Sequence, residues 1–353
     1  MKSSSLQNRS IYHDSLRIFA SLAVICIHVC AESLTWEAHE ISTSTWTYLN
    51  IFDCLSRIAV PIFVMLSGSF MIDKYKENSL KKLYSKNIFR LVCSYIFWSC
   101  VYVVFNLLKD YILHTPTDKK ELLYSLIQGE YHLWFIPMLI FLYAVTPLLK
   151  EMCKNKQNEQ YFLLLACIPI VFNFVNYFIT IKPLNVLFDR AGFQLVSGYA
   201  VYYILGHYLN RYEVQKKYRV LIYILAIASA ILTIFGSSWH YHSGKPNEPY
   251  FFEYLSPNVF IFSVAVFLLF KYELSRIHFS EKAKKIIVKL SSLTFGIYLS
   301  HIVFVKMFNK TPITVENIHP LISVPLLTLS IFILGAVVTW IISKIPLLKK
   351  YII

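Results

Sequence analysis

Apolar positions along this chain fall in long unbroken runs rather than in the one-sided stripes of soluble helices. Runs of about 18 residues or more are long enough to cross a bilayer as helices. They recur from residue 13 nearly to the C-terminus, and predict spans near 13–31, 47–72, 87–108, 131–149, 161–181, 191–209, 219–236, 255–271, 286–307 and 320–343. The reading is all-α: a polytopic membrane helix bundle of about ten transmembrane helices, in a single integral-membrane domain over 1–353. The fourth and sixth spans are short or interrupted by Pro and Gly. The chain passes from a polar start with Lys2 and Arg9 straight into the first span, with no small-residue cleavage pattern, so that span is expected to be retained.

The polar stretches between runs alternate in charge. Lys74, Lys76, Lys81, Lys82 and Lys86, then Lys150, Lys154 and Lys156, then Arg211, Lys216, Lys217 and Arg219, then Arg276, Lys282, Lys284 and Lys285, and finally Lys349 and Lys350 mark one side. The other side is poorer in positive charge and begins with "AESLTWEAHEISTSTW", which has none. The positive-inside rule puts both termini in the cytoplasm, as an even number of crossings requires, and a plasma (inner) membrane protein is expected. The outward segments 32–46, 109–130, 182–190, 237–254 and 308–319 are longer. Within them "ELLYSLIQGEY" fits an interfacial amphipathic helix, and "SSWHYHSGKPNEPYFFEY" fits either a vestibule for a polar molecule such as a sugar or ordinary interfacial aromatics.

Composition agrees: 56% of residues are hydrophobic and 15% charged, with a mean hydropathy of +0.53. The net charge of +14 does not indicate nucleic acid, because the basic residues are spread over short loops instead of one face. Contact with anionic membrane lipids or a cofactor's phosphates suits that distribution. Six of the seven cysteines lie in or at the ends of apolar spans and Cys153 in a basic loop, which argues against a disulfide framework. "CIHVC" is not a metal motif, since Cys26 and Cys30 share a helix face and His28 points about 200° away. No metal site is expected.

Ionisable groups inside a bilayer cost roughly 2.5–3.5 kcal/mol and so face the bundle interior with partners. In the first span Asp14, Arg17 and His28 fall near one stripe, with His28 about 16 Å outward of Arg17. Snorkelling accounts for Arg17, and an interhelical hydrogen bond for His28, as readily as a site does. Glu32 lies one turn beyond His28 and could orient its ring or accept its proton. In the second span Asp53 and Arg57 form an i, i+4 pair ahead of Pro61. Lys86 and Arg90 open the third span at its basic edge, as topology or as a phosphate clamp. His132 and Trp134 begin the fourth, and Tyr298 and His301 sit within the ninth.

"RSIYHDSLRIFASLAVICIH" resembles the opening of acyltransferase family 3, whose first helix carries an Asp-x-x-Arg pair and then a His. "RIAVPIFVMLSGSFM", "HLWFIPMLIFLYAVTPLL" and "LTFGIYLSHIVF" follow in the order of that family's later blocks. The resemblance covers Arg9 to Lys344 and is nearest the short branch that O-acetylates surface polysaccharides or enterobacterial common antigen. It implies transfer of an acyl group, acetyl first, from cytoplasmic acyl-CoA (acetyl-CoA) to a hydroxyl of a cell-surface polysaccharide or lipid-linked glycan, with no permanently bound cofactor. By position His28 matches the family's catalytic histidine, Asp14 and Arg17 the neighbouring pair, and Arg57 an arginine ahead of the "PIFVMLSG" block. On that reading His28 is the general base with Glu32 as its partner. Arg17, Arg57, Lys86 and Arg90 hold the donor, and Asp14, Trp134, Tyr298 and His301 support the site. A membrane carrier or exporter of a polysaccharide or lipid-linked intermediate is the alternative that buried Arg and His also suit.

Overall fold

The computed structural model describes residues 10–34, 42–74, 80–114, 119–179, 182–190, 198–243 and 250–353. Among them there is no strand, and apolar side chains face outward as well as inward. Leu164, Phe235 and Ile333 are exposed while Leu16, Ile62 and Met65 are fully enclosed. Helices apolar on every side suit a lipid surround and not water. The chain is a polytopic helical bundle.

Helix α1 (Ile11–Leu34) is its axis. Around it pack α2 (Thr43–Ser56), α3 (Ala59–Lys74), α11 (Pro257–Tyr272), α12 (Glu281–Ser291), α13 (Thr294–Phe308) and α14 (Pro320–Ile342). That enclosure turns the ionisable stripe of α1 into protein. The remaining elements include α4 (Phe89–Leu113), preceded by a π-helical stretch at Leu83–Ile88, and α5 (Lys119–Gln128). A 3₁₀ turn at Tyr131–Trp134 leads into α6 (Phe135–Cys153), followed by α7 (Lys156–Phe178), α8 (Lys182–Arg190), α9 (Ala200–Arg211) and α10 (Lys216–His242). Helix α5 coincides with the segment expected to be amphipathic and interfacial.

About ten crossings are expected, and the described residues account for most of them. The described residues contain eight helices long and apolar enough to span, or nine if α12 and α13, bent by 60° at their junction, are one crossing. The expected sixth span, 191–209, falls partly outside the described residues. Residues 191–197 lie outside the described set, and most of the remainder lies in α9, of 12 residues. Its apolarity reflects enclosure by protein: Val201, Tyr202, Tyr203, Ile204 and His207 are all buried. Helices α3 and α9 cross at glycines. A Cβ on Gly68 would lie 1.8 Å from the Tyr203 carbonyl oxygen, and one on Gly206 2.0 Å from that of Met65. Small residues at such crossings allow backbone-to-backbone approach.

Two expected spans are broken. The second divides between α2 and α3 at Arg57–Ile58, because Pro61 has no N–H to offer the Arg57 carbonyl and the ladder resumes with the Ile62 N–H donating to Ile58 O at 2.9 Å. The ninth divides because "EKAKKIIVKLS" is two-faced and lysine-rich, whereas "TFGIYLSHIVFVKMF" is apolar throughout. Cys153, expected in a loop, is instead buried on the last turn of α6, while Cys100 is exposed; all seven thiols are free.

Candidate active site

At the basic end of α1, Ser291 joins Asp14 and Arg17. The Ser291 hydroxyl donates to Asp14 Oδ1 at 2.6 Å, Arg17 Nη1 donates to Ser291 Oγ at 3.3 Å, and the Arg17–Asp14 ion pair spans 3.8 Å. The bend between α12 and α13 brings Ser291 to this position. Arg17 also lies 5.2 Å from the Phe70 ring centroid, and Arg90 lies 5.6 Å from that of Phe295. Between these arginines opens a cavity of about 360 Å³, rimmed by Arg17, Asn87, Arg90 and Ser292 and running inward past Ser67 and Tyr143 to Phe135 and Tyr298. Its volume falls within the range of small-molecule sites.

Behind Tyr298 and Phe135 stand three imidazoles. His28 of α1, His132 of the 3₁₀ turn and His301 of α13 have ring centroids 5.1 Å apart for His28–His301, 6.4 Å for His28–His132 and 5.0 Å for His132–His301. Tyr298 packs against His132 at 5.6 Å and His301 at 5.9 Å, so the cavity's inner wall is the near wall of the cluster. His301 is anchored by Nδ1 to the Tyr298 carbonyl at 2.6 Å, and His132 Nε2 lies 3.5 Å from the Tyr102 hydroxyl. The other ring nitrogens, His301 Nε2 and His132 Nδ1, are buried without hydrogen-bond partners. Buried polar groups are normally paired, so unsatisfied nitrogens of this kind call for an explanation such as a catalytic or ligand-binding role.

The turn carrying His132 is set up by Gly129, whose φ of +72° lies in the left-handed region. A side chain there would also meet Ser99, Leu133 and Tyr95 at 3.1–3.2 Å. The Tyr298 hydroxyl donates to the His132 carbonyl at 2.5 Å and fixes the turn to α13.

A family model described as an acyltransferase domain matches residues 10–344. The chain belongs to acyltransferase family 3. No curated protein and no solved structure matches it. Nearly the whole bundle is therefore the acyltransferase domain, and the protein is a multi-pass membrane acyltransferase.

In this acyltransferase the residues singled out from the sequence divide into groups. Arg17, Asp14 and Arg90 meet at the basic rim, and Tyr298 ends the cavity. His28 and His301 meet behind that wall. Arg57 stands apart from the rim. It is bound to Asp53 through Nε at 3.1 Å and through Nη2, lies 4.5 Å from the Phe252 ring centroid, and is close enough to act electrostatically on His28. Lys86 is exposed on the π-helical stretch, and its neighbour Asn87 lines the cavity instead. Trp134 is partly exposed, packed on Tyr199 at 5.5 Å and Tyr254 at 6.1 Å, outside the cluster. The side chain of Glu32 lies outside the described residues. Tyr102 and the Lys306–Glu130 ion pair of 2.7 Å had no local signal in the sequence. His132 was visible beside Trp134, but nothing nearby in the chain tied it to His28.

Proposed function

We propose that the protein is an O-acyltransferase of the plasma (inner) membrane. It moves an acyl group, acetyl first, from cytoplasmic acyl-CoA to a hydroxyl of a cell-surface polysaccharide or lipid-linked glycan, with His28 as general base. One observation carries the reading: a cavity with two arginines at its basic end terminates on Tyr298, whose ring packs against His132 and His301, the two imidazoles that neighbour His28. Arg17 and Arg90 suit the phosphates of the coenzyme, and the apolar-walled cavity between Phe63 and Phe135 suits its pantetheine arm.

A sugar hydroxyl is too weak an acid to ionise unaided, so a positioned base is needed. The imidazole of His28 takes the hydroxyl proton as the oxygen attacks the thioester carbonyl. The tetrahedral intermediate collapses with cleavage of the C–S bond, and the coenzyme thiolate leaves with the proton from the imidazolium. His301, whose Nε2 has no other partner, is the group suited to share that proton. Arg57, which acts electrostatically on His28, suits the developing oxyanion. Membership of an acyltransferase family favours transfer over the carrier reading.

Inverted membrane vesicles given labelled acetyl-CoA test the proposal. They should release free coenzyme and label a glycan fraction, and His28→Ala should abolish both. Full transfer by the His28→Ala protein overturns the assignment of the base. Movement of an unmodified glycan with no thioester consumed overturns the reaction itself.

A further inference from the structure

A second cluster of reactive side chains lies far along the fold from the histidines, at the junction of α6, α7 and α9. Cys153 ends α6, Glu159 lies on the first turn of α7, and His207 projects from α9. All three are essentially enclosed, with exposures of 1%, 0% and 0%. One ligand atom from each, the thiol sulfur, a carboxylate oxygen and a ring nitrogen, lies within 4.8 Å of the other two. The short turn between α6 and α7, closed by the Asn155 side chain accepting from the Gln157 N–H at 2.8 Å, brings the first two together.

A plain ion pair does not account for the site. His207 Nδ1 meets Glu159 Oε1 at 2.7 Å, which uses one carboxylate oxygen. The other, Oε2, is buried with no hydrogen-bond partner. Leaving a carboxylate oxygen unsatisfied in a dry interior is costly, and the Cys153 sulfur lies within 4.8 Å of a Glu159 carboxylate oxygen. Thiolate, carboxylate and neutral imidazole together carry two negative charges, which a divalent cation neutralises. We propose that Cys153, Glu159 and His207 bind a divalent metal ion, zinc first, that braces the ends of α6, α7 and α9.

The donor set selects the ion. Sulfur, nitrogen and oxygen together suit zinc better than the oxygen-seeking magnesium or calcium. Tetrahedral zinc holds its ligands about 2.0–2.3 Å away and therefore roughly 3–4 Å from one another. Small side-chain rotations reach that spacing, and water completes the fourth position. Binding replaces the His207–Glu159 contact, gives Oε2 a partner and releases the thiol proton. The brace would complete a set of ties on α9, which already meets α3 at its glycines and α6 through Tyr203 Oη and Thr146 Oγ1 at 2.8 Å.

The test is metal content and cobalt spectroscopy on the full-length protein, purified in detergent without a polyhistidine tag from zinc-supplemented cells. The expected result is about one zinc per chain, and, after exchange for cobalt, a near-ultraviolet thiolate-to-metal absorption band that Cys153→Ser removes. Should Cys153→Ser not fold, Glu159→Gln keeps the side-chain shape and should weaken zinc binding at least about tenfold. Wild-type protein with under about a tenth of an ion per chain, or a cobalt band that survives Cys153→Ser, overturns the site. So does zinc affinity unchanged by Glu159→Gln.

Discussion

The hydroxyl of Tyr298 donates to the main-chain carbonyl of His132 at 2.5 Å, linking α13 to the turn that carries the second imidazole across 166 positions of sequence. The same ring forms the inner wall of the cavity. One side chain therefore both positions the cluster and faces the proposed donor. Tyr298→Phe keeps the wall and releases the turn. The expected result is a fall in kcat of about tenfold with the KM for acyl-CoA nearly unchanged, read from steady-state release of free coenzyme. An equal rise in KM with kcat intact would instead make Tyr298 a binding residue alone.

The two basic residues of the third segment should separate cleanly. Arg90 lines the cavity rim above Phe295, whereas Lys86, four residues earlier, is exposed and does not line it. Arg90→Ala should raise the KM for acyl-CoA about tenfold, and Lys86→Ala less than about twofold. The Arg90 effect should shrink as salt is raised, because its partner would be a solvent-accessible phosphate. Titrating acyl-CoA at two ionic strengths measures both.

Helical geometry made α1 legible in advance. Eleven residues separate Arg17 from His28, three turns on nearly the same face, and that face turns inward, with Arg17 on the cavity and His28 against His301. Pro61 likewise forewarned of the break at Arg57. The convergence of His28, His132 and His301 was not legible, because each sits in its own apolar block and only tertiary packing brings the rings together. Hydropathy also cannot separate residues apolar for lipid from residues apolar for a protein interior. The apolar residues of α9 illustrate that ambiguity, since Tyr202 and Tyr203 are fully buried in protein. Cys153, Glu159 and His207 escaped notice for a related reason: the six-residue step across a turn and the distant histidine match no short metal motif.

The glycine crossing of α3 and α9 gives a stability prediction. At Gly206 an added methyl group would meet the Met65 carbonyl, which is main chain and cannot rotate away. Gly206→Ala should therefore cost about 3 kcal/mol, at the upper end of overpacking effects. A lowered unfolding midpoint in detergent is the readout. Gly198→Ala makes a useful contrast. Its φ of +87° strains any side chain, but no atom lies within 4 Å of the added carbon, so steric overlap plays no part in that loss.

The Asp53–Arg57 pair separates architecture from chemistry. Asp53 is fully buried, and its Oδ1 has no partner beyond the salt bridge made by Oδ2. Removing the carboxylate with Asp53→Ala leaves a guanidinium facing the Phe252 ring without its counter-charge, and should cost about 3–5 kcal/mol. Replacing both members, Asp53→Leu with Arg57→Met, removes the uncompensated charge and should restore most of that stability. It cannot restore the guanidinium charge that acts on His28. If Arg57 stabilises the oxyanion, the double variant should unfold near the wild-type temperature and still transfer acyl groups about a hundredfold more slowly. A stable double variant with wild-type transfer would reduce the pair to a helix-joining contact at the break before Pro61. Thermal unfolding and coenzyme release measured on the same preparation distinguish the two outcomes.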